Sequence, residues 1–389
     1  MLILAVWGAC TAVSFAILRL GAQDTPANVW APAAPSWSEH LSFWDSGWYA
    51  RIHREGYPVV LPVGLNGTVA QNSWAFMPLL PMLAGLLTWT GWSFYVCAAL
   101  VAIAASAGAA LAMDRWLSPR VGPTASAWAV ALVWSSPCAA ILQVPYAESL
   151  GLLLTALVLW QAGRHRFLMC VPLVALAAFS RPIGVPLAAA LGLWWAWETT
   201  CARGVLPESW TSALLPGTRR LTAAQRLHLL ILTLLACLSA LAWPAIAWAA
   251  TGRADAYTAT ETSWRSGSLA PFVPWLIRGQ WWVGAHLSLI LVAMVLVLTA
   301  LMLSAPALRR LGPAPWFWCL AYILYLLAFF DPTSSLLRLL LPLAPAAWAA
   351  ADCVRGLRGR LALAAGGVIG QLFWVSWVWD ASIAINWVP

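Results

Sequence analysis

Polar positions interrupt this chain only briefly. Apolar runs of about the length needed to cross a bilayer, some 20 residues each, fall at 2–21, 92–113, 124–143, 147–163, 168–180, 183–197, 229–250, 285–305, 316–330, 336–351 and 361–383. Several are short, and the pair around Ser180-Arg181-Pro182 is expected to break inside the membrane, because proline removes a backbone donor. The pattern predicts an all-α integral membrane protein: a polytopic helical bundle of about eleven spans. Residues 75–91, "AFMPLLPMLAGLLTWTG", are apolar too, so they must either add a span or lie on, or dip into, one face.

Charge placement decides between these. With the N-terminus inside and 75–91 not crossing, the segments 114–123, 163–167, 198–228, 306–315 and 352–360 share one side and carry 13 Arg against four acids, while the other side has eight Arg and nine acids. That is the cytoplasmic excess of basic residues expected of membrane proteins. A crossing at 75–91 would invert every later loop. The expectation is therefore a cell-membrane, multi-pass chain with a cytoplasmic N-terminus. Its outer loop spans 22–91 and includes a juxtamembrane or re-entrant segment at 75–91. A second outer loop covers 251–284, and the longest cytoplasmic loop covers 198–228. Residues 1–389 read as one domain, with 2–21 retained as its first span.

Composition supports lipid as the solvent. Of 389 residues, 62% are hydrophobic and 9% charged, with a mean hydropathy of +0.80; soluble domains carry about a quarter charged residues. The net charge of +8 thus reflects loop placement, and nucleic acid is not an expected partner. All 21 basic residues are arginine. The eight cysteines are scattered through apolar runs without a CxxC pair, which signals neither a metal knuckle nor a redox couple.

The charges on the outer side are few and specific: Asp45 and Glu55, Glu148, Arg181, Asp255 and Glu261, Asp331 and Arg338. Glu148, Arg181 and Arg338 sit where apolar runs meet. Holding a charge at that depth costs roughly 2.5 kcal/mol or more, so such residues tend to be paired or functional. The densest cluster is 42–58, "SFWDSGWYARIHREGYP", a short amphipathic segment. There Trp44, Trp48 and Tyr49 are expected at headgroup level, placing Asp45 where a carboxylate can take a proton from a hydroxyl at the lipid boundary. The interfacial tryptophans Trp264, Trp275, Trp281 and Trp282 suit membrane anchoring or stacking on sugar faces.

Four motifs in order resemble the GPI mannosyltransferase II (PIG-V) family: "FWDSGWYARIHREGYP" followed by "NSWAFMPLLPML", then "SSPCAAILQVPYAESL", "SRPIGVPLA" and "LLRLLLPLAP". The chain departs from the family pattern at Ala147, where serine is usual, and at Pro182-Ile183. The resemblance implies a GT-C glycosyltransferase that moves a sugar, most readily mannose, with inversion. The donor would be a polyprenyl-phosphate sugar, and the acceptor a lipid-linked molecule or glycan on the extracytoplasmic face. It implies Asp45 as catalytic base and Arg181 and Arg338 as holders of the donor phosphate, which guanidinium matches in geometry and charge. Trp44, Tyr49, His53, Glu55, Tyr146 and Glu148 are expected to orient the acceptor or the site. No DxD occurs, so no metal and no cofactor is expected. The competing class is a transporter or flippase, which would show repeats and charges near the membrane midplane; neither pattern is visible.

Overall fold

The computed structural model describes residues 1–264, 270–354 and 356–380. Among them the fold is helical, with no strand. Its helices are α1 (Leu2–Asp24), α2 (Ser46–Glu55), α3 (Leu79–Gly85), α4 (Phe94–Val121), α5 (Pro123–Trp134), α6 (Glu148–Ala162), α7 (Val171–Ala178), α8 (Gly184–Ala202), α9 (Ala223–Thr251), α10 (Val273–Ser304), α11 (Pro313–Phe329), α12 (Ala344–Cys353) and α13 (Leu357–Trp374). Short helical turns join several of them.

Five helices are long and apolar enough to cross a membrane: α1, α4, α9, α10 and the helix from Leu357 to Trp379 that contains α13. This is the make-up of a multi-pass membrane protein. Their outer surfaces agree: Leu289, Ile290, Met294, Val297 and Leu301 of α10 are each at least half exposed, a continuous apolar face that water would not tolerate on a monomer.

Several expected spans are shorter or broken. The run 124–143 stops at Trp134, and 139–143 continues only as a 3-10 turn. The Ser135-Ser136-Pro137 sequence ends α5 because Pro137 offers no amide and disfavours helix in the residue before it. The run 336–351 likewise divides into a turn at 336–339, a 3-10 turn at 341–343 and α12. Conversely, α4 runs on past its expected end at 113 to Val121, through Asp114, Arg115 and Arg120. Backbone hydrogen bonding does not need apolar side chains, and Gly122, at φ 85°, supplies the stop. Arg355 and the end of the expected 361–383 span lie outside the described residues.

The expected break at Ser180-Arg181-Pro182 is present, between α7 and α8. Segment 75–91 forms no long helix: α3 has seven residues and is followed by a 3-10 turn at Thr88–Thr90. At 1.5 Å per residue it spans only about 10 Å.

The expected outer loop 251–284 is partly helical: it contains a short helix at Ala256–Thr262 and the first part of α10. That part folds back on the rest at Gly284, whose φ of 83° and ψ of 166° are open to glycine. A β-carbon on Gly279 would meet the Ser288 β-carbon at 3.2 Å, though nine residues of straight helix would separate them by about 13 Å. The result is a helical hairpin with small residues at its seam.

The bundle centre is α4 against α6. Ala98, Ala102, Ala105 and Ala109 line the buried face of α4, and Gly108 lets Leu153 approach so closely that a β-carbon there would be 3.2 Å from it. Small residues allow this proximity, and dispersion then rewards it. α8 packs between α9 and α11. One end of this assembly holds α2, α3, the α7–α8 break and the turn at 336–339, and that end carries Asp45, Glu148, Arg181 and Arg338.

Candidate functional site

Asp45 stands immediately before α2, where an aspartate usually caps the helix. Its side chain makes no capping bond. Instead Oδ2 accepts a hydrogen bond from Arg338 Nη1 at 2.8 Å. The preceding Trp44 has φ 56°, a left-handed conformation costing a tryptophan roughly 1–2 kcal/mol. Such strain persists only where surroundings impose it. Here Trp44 Nε1 donates to the Trp379 carbonyl at 2.7 Å, and the Asp45 amide donates to Tyr146 Oη at 3.0 Å.

Glu148 opens α6, where the helix dipole favours a negative charge. Its Oε1 lies 3.0 Å from Arg181 Nη1 and 3.4 Å from Arg338 Nη1. Arg181 comes from the α7–α8 break, and Gly151 makes room for its stem: a β-carbon there would sit 3.2 Å from Arg181 Cδ. Arg338 belongs to the 336–339 turn, which is held by Tyr322 Oη on the Leu339 carbonyl at 2.7 Å and by Cys138 Sγ on the Leu337 carbonyl at 3.1 Å. The Arg338 guanidinium also lies over the Tyr146 ring, 5.4 Å from its centroid.

Two carboxylates and two guanidiniums thus form one chain, Asp45–Arg338–Glu148–Arg181, with side chains only 3–15% exposed. Its formal charge is zero. Buried charges are tolerable in such a balanced set, whereas removing one partner of a buried pair costs about 3–5 kcal/mol. Arg338 reaches both acids through Nη1, while its buried Nε has no hydrogen-bond partner among the described residues.

The quartet lines a cavity of about 1210 Å³. Tyr49 and Phe76 contribute aromatic wall, and α11 adds Tyr322 and Tyr325. On the α10 side the cavity is bounded by Arg278, Asp331, Trp281 and Trp282. Arg278 grips Asp331 with two nitrogens, one at 3.0 Å, and its guanidinium lies over Trp281 at 5.1 Å. The volume lies above the usual small-ligand range of 300–1,000 Å³.

Of the residues expected from the sequence, the fold brings together Asp45, Tyr49, Tyr146, Glu148, Arg181 and Arg338. Trp44 is adjacent but supports Asp45 from behind, packed on Trp30 at 4.8 Å. His53 and Glu55 are elsewhere. His53 stacks on Phe94 at 5.0 Å, and Glu55 pairs with Arg51 at 2.8 Å with both side chains over half exposed; neither lines the cavity. Tyr49 is 7% exposed, and Trp48 stacks on Phe76 at 5.7 Å, so both pack against protein. Arg278 was absent from the expected set, although an arginine within the apolar-aromatic run "VPWLIRGQWW" is the same signal that singled out Arg181 and Arg338.

Among the described residues no group of three or more His, Cys, Asp or Glu is arranged to hold a metal ion. No protein-family model, curated protein or solved structure matches this chain.

Proposed function

We propose that this chain is a membrane glycosyltransferase of GT-C type, with about eleven crossings or partial crossings and its active site on the extracytoplasmic face. It transfers a hexose, mannose in the first instance, from a polyprenyl-phosphate donor to a lipid-linked or glycan acceptor. The observation that carries this reading is the pairing of Asp45 with Arg338, beside Glu148 and Arg181, on the wall of one large cavity. A base, a second carboxylate and two phosphate-matching cations converge there from four separate parts of the sequence.

The chemistry follows from these groups. The acceptor hydroxyl attacks the anomeric carbon from the face opposite the phosphate, and its proton passes to Asp45. The carbon–oxygen bond to phosphate breaks, and the electron pair leaves on the phosphate oxygen. Arg338 and Arg181 stabilise that developing charge, as preorganised cations do in a site shielded from water. Glu148 holds both guanidiniums in place.

Purified protein should transfer radiolabelled hexose from a polyprenyl-phosphate donor to an acceptor in membrane extract, and transfer should persist in EDTA. No transfer from any polyprenyl-phosphate hexose would overturn the enzymatic reading. Loss in EDTA restored by Mg²⁺ or Mn²⁺ would overturn the metal-free one.

Sidedness has its own test. Leu65 is fully exposed in the first proposed outer loop, and Ser209 is exposed in the proposed cytoplasmic one. With the exposed native Cys237 and Cys353 replaced, Leu65→Cys should react with an impermeant thiol reagent in intact cells and Ser209→Cys should not. The reverse labelling would invert the proposed topology.

A further inference from the structure

The last described residues, Trp379 and Asp380, are buried against the segment that leads into Asp45. His40, 4% exposed, meets both. Its Nε2 lies 3.0 Å from Asp380 Oδ1 and accepts from Trp379 Nε1 at 2.9 Å. One ring nitrogen cannot donate and accept at once. With a proton on Nε2, in either the imidazolium or the Nε2–H tautomer, it donates to Asp380; with Nε2 bare it accepts from Trp379. In either protonation state one of the two residues stays tied to His40.

His40 is itself fixed. It ends a turn of helix begun by a Ser36–Glu39 capping box, and its ring meets Phe43 edge-on at 4.7 Å. On the other side, Asp380 lies so close to α1 that a β-carbon on Gly21 would collide with its Oδ2. Trp379, with no exposed surface, also packs on Tyr146 at 5.6 Å. This anchoring sets the Trp379 carbonyl that receives Trp44 Nε1–H at 2.7 Å, the bond that secures the left-handed backbone of Trp44 and so the direction in which Asp45 leaves the chain.

We infer that the Trp379–Asp380 segment, clamped between His40 and Gly21, is a positioning element for Asp45. It touches neither sugar nor phosphate and acts through Trp44. This inference rests on the reading of Asp45 as the reacting base.

The test uses Asp380→Ala, Gly21→Ala and the milder Trp44→Phe, which removes only the indole donor. In full-length protein, amide hydrogen exchange at residues 43–47 should quicken about 10-fold in each, with α4 and α6 unchanged. Turnover should fall about 10- to 100-fold, the cost of a misplaced reacting group, while the donor KM stays within about twofold. Asp380→Asn, whose amide can still bond His40, should retain most turnover. In an Asp45→Asn background the three variants should cause no further loss. Unchanged exchange at 43–47 would overturn the clamp. Faster exchange with the same fractional loss in both backgrounds would make its role merely structural and overturn positioning. If Asp45→Asn alone transfers like the wild type, the base reading fails, and the exchange data still decide whether the clamp holds the loop.

Discussion

Asp45→Asn should lower sugar transfer by roughly 10²-fold or more, the usual contribution of a positioned general base, while leaving donor affinity nearly unchanged. The amide keeps the shape of the carboxylate but cannot take the acceptor proton. The sequence placed Asp45 on an exposed loop, where losing its charge would be free. In the fold its side chain is 14% exposed and bonded to Arg338, so the substitution has a stability cost as well. That cost should be well below the roughly 3–5 kcal/mol of a broken buried pair, because Arg338 retains Glu148 at 3.4 Å. Single-turnover transfer by variants matched for thermal stability separates the two effects. Glu55→Gln is the control: Glu55 bonds only to the exposed Arg51, a helical pair worth about 0.3–0.5 kcal/mol, and its loss should leave transfer intact. Wild-type turnover in Asp45→Asn would move the base elsewhere, with Glu148 next in line.

Arg338→Ala should be the most damaging single change. It strips the nearest cation from Asp45 and leaves Glu148 with Arg181 alone, uncovering charge among mostly buried side chains. A loss of about 3–5 kcal/mol in stability is expected, read as a large drop in the unfolding midpoint in detergent. Donor binding should weaken as well, by about 2–5 kcal/mol for a buried charge contact, so phosphate protection against unfolding should disappear. Arg338→Lys divides these roles. An ammonium can restore one ion pair and much of the stability, but it lacks the guanidinium's further planar N–H donors for a phosphate oxygen. Arg338→Lys should therefore melt near the wild type and still bind donor poorly. If Arg338→Ala melts and binds donor like the wild type, neither the buried pairing nor the phosphate role survives.

The helical class and the lipid-facing character were legible because both depend on composition summed over long stretches. The break at Ser180-Arg181-Pro182 was legible for a local reason, the missing amide of proline. The equally local break at Ser135-Ser136-Pro137 was hidden inside a run whose apolarity dominated its reading, and the hairpin at Gly284 was hidden by the loop assigned around it. Within 42–58 the helical repeat already separates two faces: Asp45, Tyr49 and Ile52 fall together on a shielded side, while Arg51 and Glu55 share the exposed one. Reading that segment as one charged block obscured the division and drew His53 and Glu55 into the site.

The sequence by itself determined which residues were too costly to hold at the membrane boundary without a partner: Glu148, Arg181 and Arg338. It could not determine their partners. Asp45 and Arg338 are 293 positions apart, and Trp44 reaches a carbonyl 335 positions away. Those pairings, and the strained backbone of Trp44 that aims Asp45, exist only once α4, α6 and the chain ends have packed. A charge reports its own desolvation cost from local sequence, whereas the opposite charge that offsets it is supplied by whatever the bundle brings within 3 Å or so.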